Sequence, residues 1–197
     1  MSCCANIHTG VTRAIFLGCD QNDVRVLTGW LKILTSMGHP VLLPALFAEL
    51  QLRRHKTLIG NNWSKLVSLY AETGLYGDSN PARPYVATSK EDTKDYGRTT
   101  KHILQMHQDT GFLENSLRSC RRKLEQLISH ATINDDVAPQ SLKESTQAET
   151  TRIQARLQDM IIEYEEIEAK CKHITEGASI LTAAVGPSTE MISLSHA

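Results

Sequence analysis

Two runs of residues spaced alternately by three and four constrain this chain more than anything else in it. The first is Ile103, Met106, Thr110, Leu113, Leu117, Cys120, Leu124, Leu127 and Ala131. The second is Ile153, Leu157, Met160, Tyr164, Ile167, Cys171, Ile174, Ala178, Leu181 and Val185. An α-helix completes a turn in 3.6 residues, so this alternation keeps one narrow edge pointed at one partner, as in a heptad seam. A helix carrying such an edge must cover it. The stretch between the runs, Asn134 to Ser145, is polar and contains Pro139, which breaks the helix and allows a reversal. The two runs therefore predict an antiparallel hairpin, with Ala131 against Ile153, Leu127 against Leu157, Cys120 against Tyr164 and Leu113 against Cys171. The second helix would be on the order of 50 Å long and would stop at Gly186-Pro187.

The charges favour that register. Arg118, Arg121, Arg122 and Lys123 fall near Glu163, Glu165 and Glu166. Exposed pairs are each worth only about 0 to 1 kcal/mol, so they select an orientation. Complete burial of a seam side chain, about 1.5 to 3 kcal/mol, is the larger drive. Read alone, RSCRRKL would suggest a nucleic-acid patch. With 21 basic and 22 acidic side chains, a net charge of -1 and 5% aromatic residues, an ion-paired face is the better reading, and no nucleic-acid partner is expected. Glu166 with Lys170 and Glu168 with Lys172 add i,i+4 pairs on one helix.

Upstream, residues 1–20 show no clear periodicity and are read as a poorly ordered N-terminal tail. Asp20 or Asn22 can cap a helix carrying Val24, Leu27, Leu31 and Leu34 on one face, with Gly38 as its stop. HPVLLPALFAEL, His39 to Leu50, then makes a corner. The residue before Pro40 is pushed out of helical geometry, and Pro44 fits the first turn of a new helix, where its missing N–H costs little. Val41 and Leu43 are expected to wedge the corner against the hairpin. Leu46, Phe47, Leu50, Leu58 and Ile59 form the apolar stripe of that second helix, and Arg53, Arg54, His55 and Lys56 its polar side. Gly77 to Pro84 is a loop. The fold class is all-α: an elongated antiparallel helical bundle or coiled-coil hairpin with two N-terminal helices packed on it. The helices are expected at about 22–37, 43–72, 99–131 and 150–185, in one domain over 21–186, followed by a tail over 187–197.

Motifs that carry chemistry are missing from the sequence: there is no P-loop, GxGxxG, HExxH or GxSxG. His102 and His107, five apart, lie on different helix faces, and His130 and His173 flank the seams as solvent-edge histidines. Cys120 and Cys171 sit in apolar seams, where a thiol is a poor nucleophile. Glu163, Glu165, Glu166 and Glu168 form a solvated face rather than a cation cage. The expectation is of no enzyme, with no catalytic, cofactor-binding or metal residues and no cofactor. The longest apolar run, Pro40 to Ala48, falls short of the roughly 20 residues that span a bilayer, so a cytoplasmic chain without a membrane span is expected. Five cysteines without CxxC spacing are read as reduced thiols. Cys3 and Cys4 could carry a lipid tether, but an unmodified tail is the favoured reading.

Three stretches together resemble a known family. HPVLLPALFAEL followed by RRHKTLI is similar to the "HPLLLP…FAELER-R" stretch of fungal CorA-like proteins. FLENSLRSCRRKLEQLISH resembles that family's second helical block, and RIQARLQDMIIEYEEIEAKCKHITEGASIL its third. The likeness runs in order over roughly 24–185. It implies a cytosolic helical region of proteins related to magnesium transporters, in which a linker and two membrane helices typically follow. This chain carries neither the membrane pair nor the Gly-Met-Asn signature that lines the pore, so ion transport by it alone is not expected. A longer isoform could continue toward a membrane. The function expected is that of a helical interaction or scaffold module with a protein partner, either self-associating or binding another helical protein. The alternative is a regulatory or sensor domain of, or a truncated relative of, a CorA-like membrane cation transporter.

Overall fold

The computed structural model describes residues 2–6, 11–15, 18–34, 39–73, 90–137 and 143–185. They form β1 (Ser2–Asn6), β2 (Val11–Ile15), α1 (Gln21–Ile33), α2 (Leu42–Glu72), α3 (Lys90–Val137) and α4 (Lys143–Val185). The fold is an all-α helical bundle to which a short antiparallel hairpin is added. The expected loop at Gly77 to Pro84, the stop at Gly38 and the tail at 187–197 lie outside the described residues.

The hairpin corrects the expectation of a poorly ordered tail. β1 pairs with β2 from Ser2↔Ile15 to Asn6↔Val11. Val11, Thr12 and Ile15 are residues that favour the pleated conformation, and a five-residue strand is too short for its alternation to stand out. Helix bounds also move. α3 starts at Lys90 rather than 99 and reaches Val137, two residues short of Pro139. α4 starts at Lys143 rather than 150. Heptad counting saw only the apolar centre of each helix, while their charged ends, KEDTKDYGR and KESTQAE, are helical without an apolar face.

The chain divides into two compact units: Met1–His55 with Leu117–Glu166, and Lys56–Ser116 with Ile167–Ala197. In the first, Asp20 caps α1 reciprocally with Asp23. The Asp23 N–H donates to Asp20 Oδ1 at 2.8 Å, and the Asp20 N–H donates to Asp23 Oδ2 at 2.9 Å. Asp23 is buried and paired with Arg54 of α2, which also donates to the carbonyl of Gly18, a glycine in the left-handed region at φ +76. This ion pair turns α1 away from its expected face: Val24 is 53% exposed, Leu27 is buried, and Leu31 and Leu34 are half-buried. The Arg53 guanidinium lies 4.8 Å from the Trp30 ring centroid.

The proline corner is in the core of this unit. Val41, Leu42 and Pro44 are buried, while Leu43 is only half-buried. His39 is 2% exposed and both its ring nitrogens are bonded: Nδ1 accepts from the Val41 N–H at 3.2 Å, and Nε2 meets Thr150 Oγ1 of α4 at 3.1 Å. An Nδ1 that accepts leaves the proton on Nε2, which therefore donates to the threonine. Along α3 and α4, Gln154 bonds Thr132 at 2.9 Å and Arg121 meets Glu165 at 3.7 Å, in keeping with the expected antiparallel register. Leu117, Leu124, Ala131, Ile153, Leu157, Met160 and Tyr164 are buried; Cys120 and Leu127 are half-buried. Glu163 departs from the expected charge pairing. It accepts from Arg156, whose other edge grips both oxygens of Glu49 on α2 at 2.8 Å each.

In the second unit, Ile103, Met106, Thr110 and Leu113 of α3 face inward, as do Ile167, Cys171, Ile174, Ala178, Leu181 and Val185 of α4. α2 brings Ile59, Asn62, Leu66 and Leu69. Gly177 lets α4 come close to α2: a Cβ there would lie 2.9 Å from a Leu66 methyl and 3.1 Å from the Tyr70 hydroxyl, which donates to the Gly177 carbonyl. Lower on α4, Lys172 lies 3.9 Å from Glu176 in an i,i+4 pair.

Candidate functional site: buried polar layers and an open groove

α2 hides a third seam. Among its covered positions, Ala45, Leu52, His55, Ile59, Asn62, Leu66 and Leu69 step by seven, three, four, three, four and three, the heptad rhythm of α3 and α4, and Leu42 and Leu50, the latter expected in the stripe, are buried as well. Leu46, Phe47 and Leu58, expected in the stripe, are half-buried, half-buried and 51% exposed. His55, expected on the polar side, is 6% exposed. Two of the seam positions are polar, which is why an apolar count passed over them. Leu52, 1% exposed, lies on this seam two residues beyond Leu50 and outside the expected stripe.

Each polar seam residue has a partner within its own unit. In the first, His55 Nδ1 lies 3.2 Å from the Tyr164 hydroxyl, with the two rings edge-on at 5.7 Å. Burial holds the His55 imidazole below its ordinary value, because the charged form would lose its water. Burial also pushes the Tyr164 phenol up, reinforced by Cys120, which hydrogen-bonds it, and by Glu49. In the second, Asn62 Nδ2 donates to Thr110 Oγ1 at 3.3 Å, and Thr110 passes its own proton to the Met106 carbonyl at 2.8 Å. The Cys171 thiol nearby is pushed up to about 11, by burial first and then by the charges of Glu114 and Glu168. A protonated phenol and a protonated thiol are weak nucleophiles, and the neutral imidazole of His55 is engaged with the Tyr164 hydroxyl. Each bond ties α2 to another helix of its own unit, His55 to Tyr164 of α4 and Asn62 to Thr110 of α3.

The histidines singled out in the sequence, His102, His107, His130 and His173, are all exposed, and His173 sits 3.6 Å from Glu176. Among the described residues no group of three or more His, Cys, Asp or Glu could hold a metal ion. Cys19, Cys120 and Cys171 are free thiols. No helix of the described residues is long and apolar enough to cross a membrane.

The open feature is a groove of about 480 Å³ between α2 and α3 in the second unit. Lys65, Ser68 and Glu72 form one wall, His102, Gln105 and Asp109 the other, and Leu69 and Met106 reach its floor. Gln105 donates to Asp109 at 2.8 Å along its wall. Two large apolar side chains extend the same stripes: Leu58, 51% exposed, precedes Lys65 by seven residues, and Phe112, 80% exposed, follows Asp109 by three. Trp63, Leu104, Ile162 and Ile180 are also about half exposed. The sequence placed Leu58 in the apolar stripe and singled out none of the others, because a helical sequence does not distinguish an apolar residue on the seam from one beside it. Set against protein-family models, curated proteins and solved structures, the chain matches none.

Proposed function

We propose that this chain is a helical interaction module: a bundle that holds helix surfaces in place for a protein partner. One observation carries the reading. The polar residues of the α2 seam, His55 and Asn62, are paired inside the bundle, while large apolar residues such as Phe112, 80% exposed, lie uncovered beside an open groove. The resemblance of three helical blocks to the cytosolic region of fungal CorA-like proteins is compatible with such a role. A regulatory domain for a membrane cation transporter is one setting in which the module would act.

The test is proximity labelling in the source cells with the chain fused to a labelling ligase. A discrete set of neighbours should appear, and charging the exposed apolar residues together (Trp63→Asp, Phe112→Asp, Ile180→Asp) should remove it. The buried swap Asn62→Leu with Thr110→Val should leave the set intact. A labelling profile identical to that of the unfused ligase would overturn the reading.

A further inference from the structure

The α2/α3 groove has two walls, each a stripe on one helix. On α2 the positions are Lys65, Ser68 and Glu72; on α3 they are Asp109, Gln105 and His102; the exposed Leu58 and Phe112 continue these stripes outside the groove. The Asn62–Thr110 bond fixes the register between them, so numbers rise on one wall as they fall on the other. Beyond one end, Leu58 and Phe112 lie about half a turn off a common level, within reach of long side chains. One step on, Lys65 stands across from Asp109; at the far end Glu72 stands across from His102. The levels therefore carry a basic group across from an acidic one, a neutral polar pair, Ser68 with Gln105, and an acidic group across from a histidine, with two apolar residues beyond one end. Lys65, Glu72 and His102 take part in no ion pair within the described residues.

A surface with this arrangement is complementary to itself. Rotation by half a turn about a line running along the groove lays α2 of a second copy over α3 of the first, level for level. Lys65 then meets the second copy's Asp109, Glu72 meets its His102, and Phe112 meets its Leu58. Each contact occurs twice, as symmetry requires of an isologous interface. An 80% exposed phenylalanine gains a cover, and unspent opposite charges gain partners. We propose that the α2/α3 face around this groove is covered by a second copy of the chain, giving a parallel two-fold dimer in which α2 and α3 of each copy face α3 and α2 of the other. This names the partner for the interaction reading above and rests on it.

Sedimentation velocity of the full chain at about 100 µM, within reach of a standard-sized interface, tests the proposal. The expected species is two chains of 21.9 kDa each. Phe112→Asp should weaken association by at least about tenfold, as loss of an aromatic anchor does; it alters an exposed residue, so an unchanged helical circular dichroism spectrum should accompany it. Leu104→Asp, an exposed apolar residue on a different α3 stripe, should leave the dimer intact. Lys65→Glu and Asp109→Lys should each weaken it, and the two together in one chain should restore it. A monomeric wild type, a dimer indifferent to Phe112→Asp, or a charge swap without rescue would each overturn the proposal. A monomer that still labels discrete neighbours in cells would sink the dimer and leave the interaction reading standing.

Discussion

Asn62 on α2 donates its side-chain amide to the Thr110 hydroxyl on α3 across 3.3 Å, with 7% and 0% of the two residues exposed. Thr110 has already given its own proton to the Met106 carbonyl, so the acceptor role is the one left to it, and Asn62 takes it. A polar pair at seam positions is satisfied in one register only. Sliding either helix by a turn would bury the amide against Ile or Leu without a partner.

Thr110→Val should therefore cost about 1 to 3 kcal/mol, since it strands a buried amide. The double replacement Asn62→Leu with Thr110→Val should regain most of that loss, because no polar group is left unpaired. Urea denaturation of the two variants checks both, and a double variant no more stable than the single one would contradict the pairing.

Stability should depend on pH through His55. Its folded-state pKa lies below the ordinary 6.5, held down by burial. Above 6.5 both folded and unfolded chains carry it neutral and the full stability is present. As pH falls below 6.5 the unfolded chain takes the proton first, so stability declines until the folded pKa is passed. Denaturation midpoints at a series of pH values should fall on the acid side, and His55→Gln should flatten that fall. Tyr164→Phe should lower stability by about 1 kcal/mol at neutral pH by removing the hydroxyl His55 faces.

Gly177→Ala and Gly111→Ala should act in opposite directions. Alanine favours the helix interior by about 0.8 to 1 kcal/mol at either site. At 111 an added Cβ meets nothing within 4 Å, so melting temperature should rise. At 177 it would press on Leu66 and Tyr70, and overpacking of about 1 to 3 kcal/mol should outweigh the gain.

At the proline corner, Val41→Asp should cost at least about 3 kcal/mol, since it places a carboxylate at a site 4% exposed. Leu43→Asp, at the half-buried neighbour, should cost about 1 to 2 kcal/mol. Equal losses in thermal melts would mean that the two face the same surroundings.

What the sequence made legible follows from which side chains occupy the seams. All ten seam positions named on α4 are buried, because nearly all are aliphatic and the spacing never slips. On α3, Cys120 and Leu127 are only half-buried, yet the pattern survives them. α2 was misread because His55 and Asn62 hold seam positions while Phe47 and Leu58 lie beside the seam; polarity pointed outward and packing pointed inward. Asp23 is the same case on α1, where Arg54 and the reciprocal cap make burial of a carboxylate tolerable. The groove could not be read at all. It depends on the register between two helices, and that register is set by a bond between two polar residues 48 positions apart in the sequence.

On α4, the hydroxyls of Thr175, Ser179 and Thr182 donate back to the carbonyls four residues earlier, at 3.1, 2.9 and 2.9 Å. These groups have spent their protons on their own helix. The surface around Ile180 is thus drier in character than its count of hydroxyls suggests, and shedding its hydration layer would sacrifice few bonds to solvent.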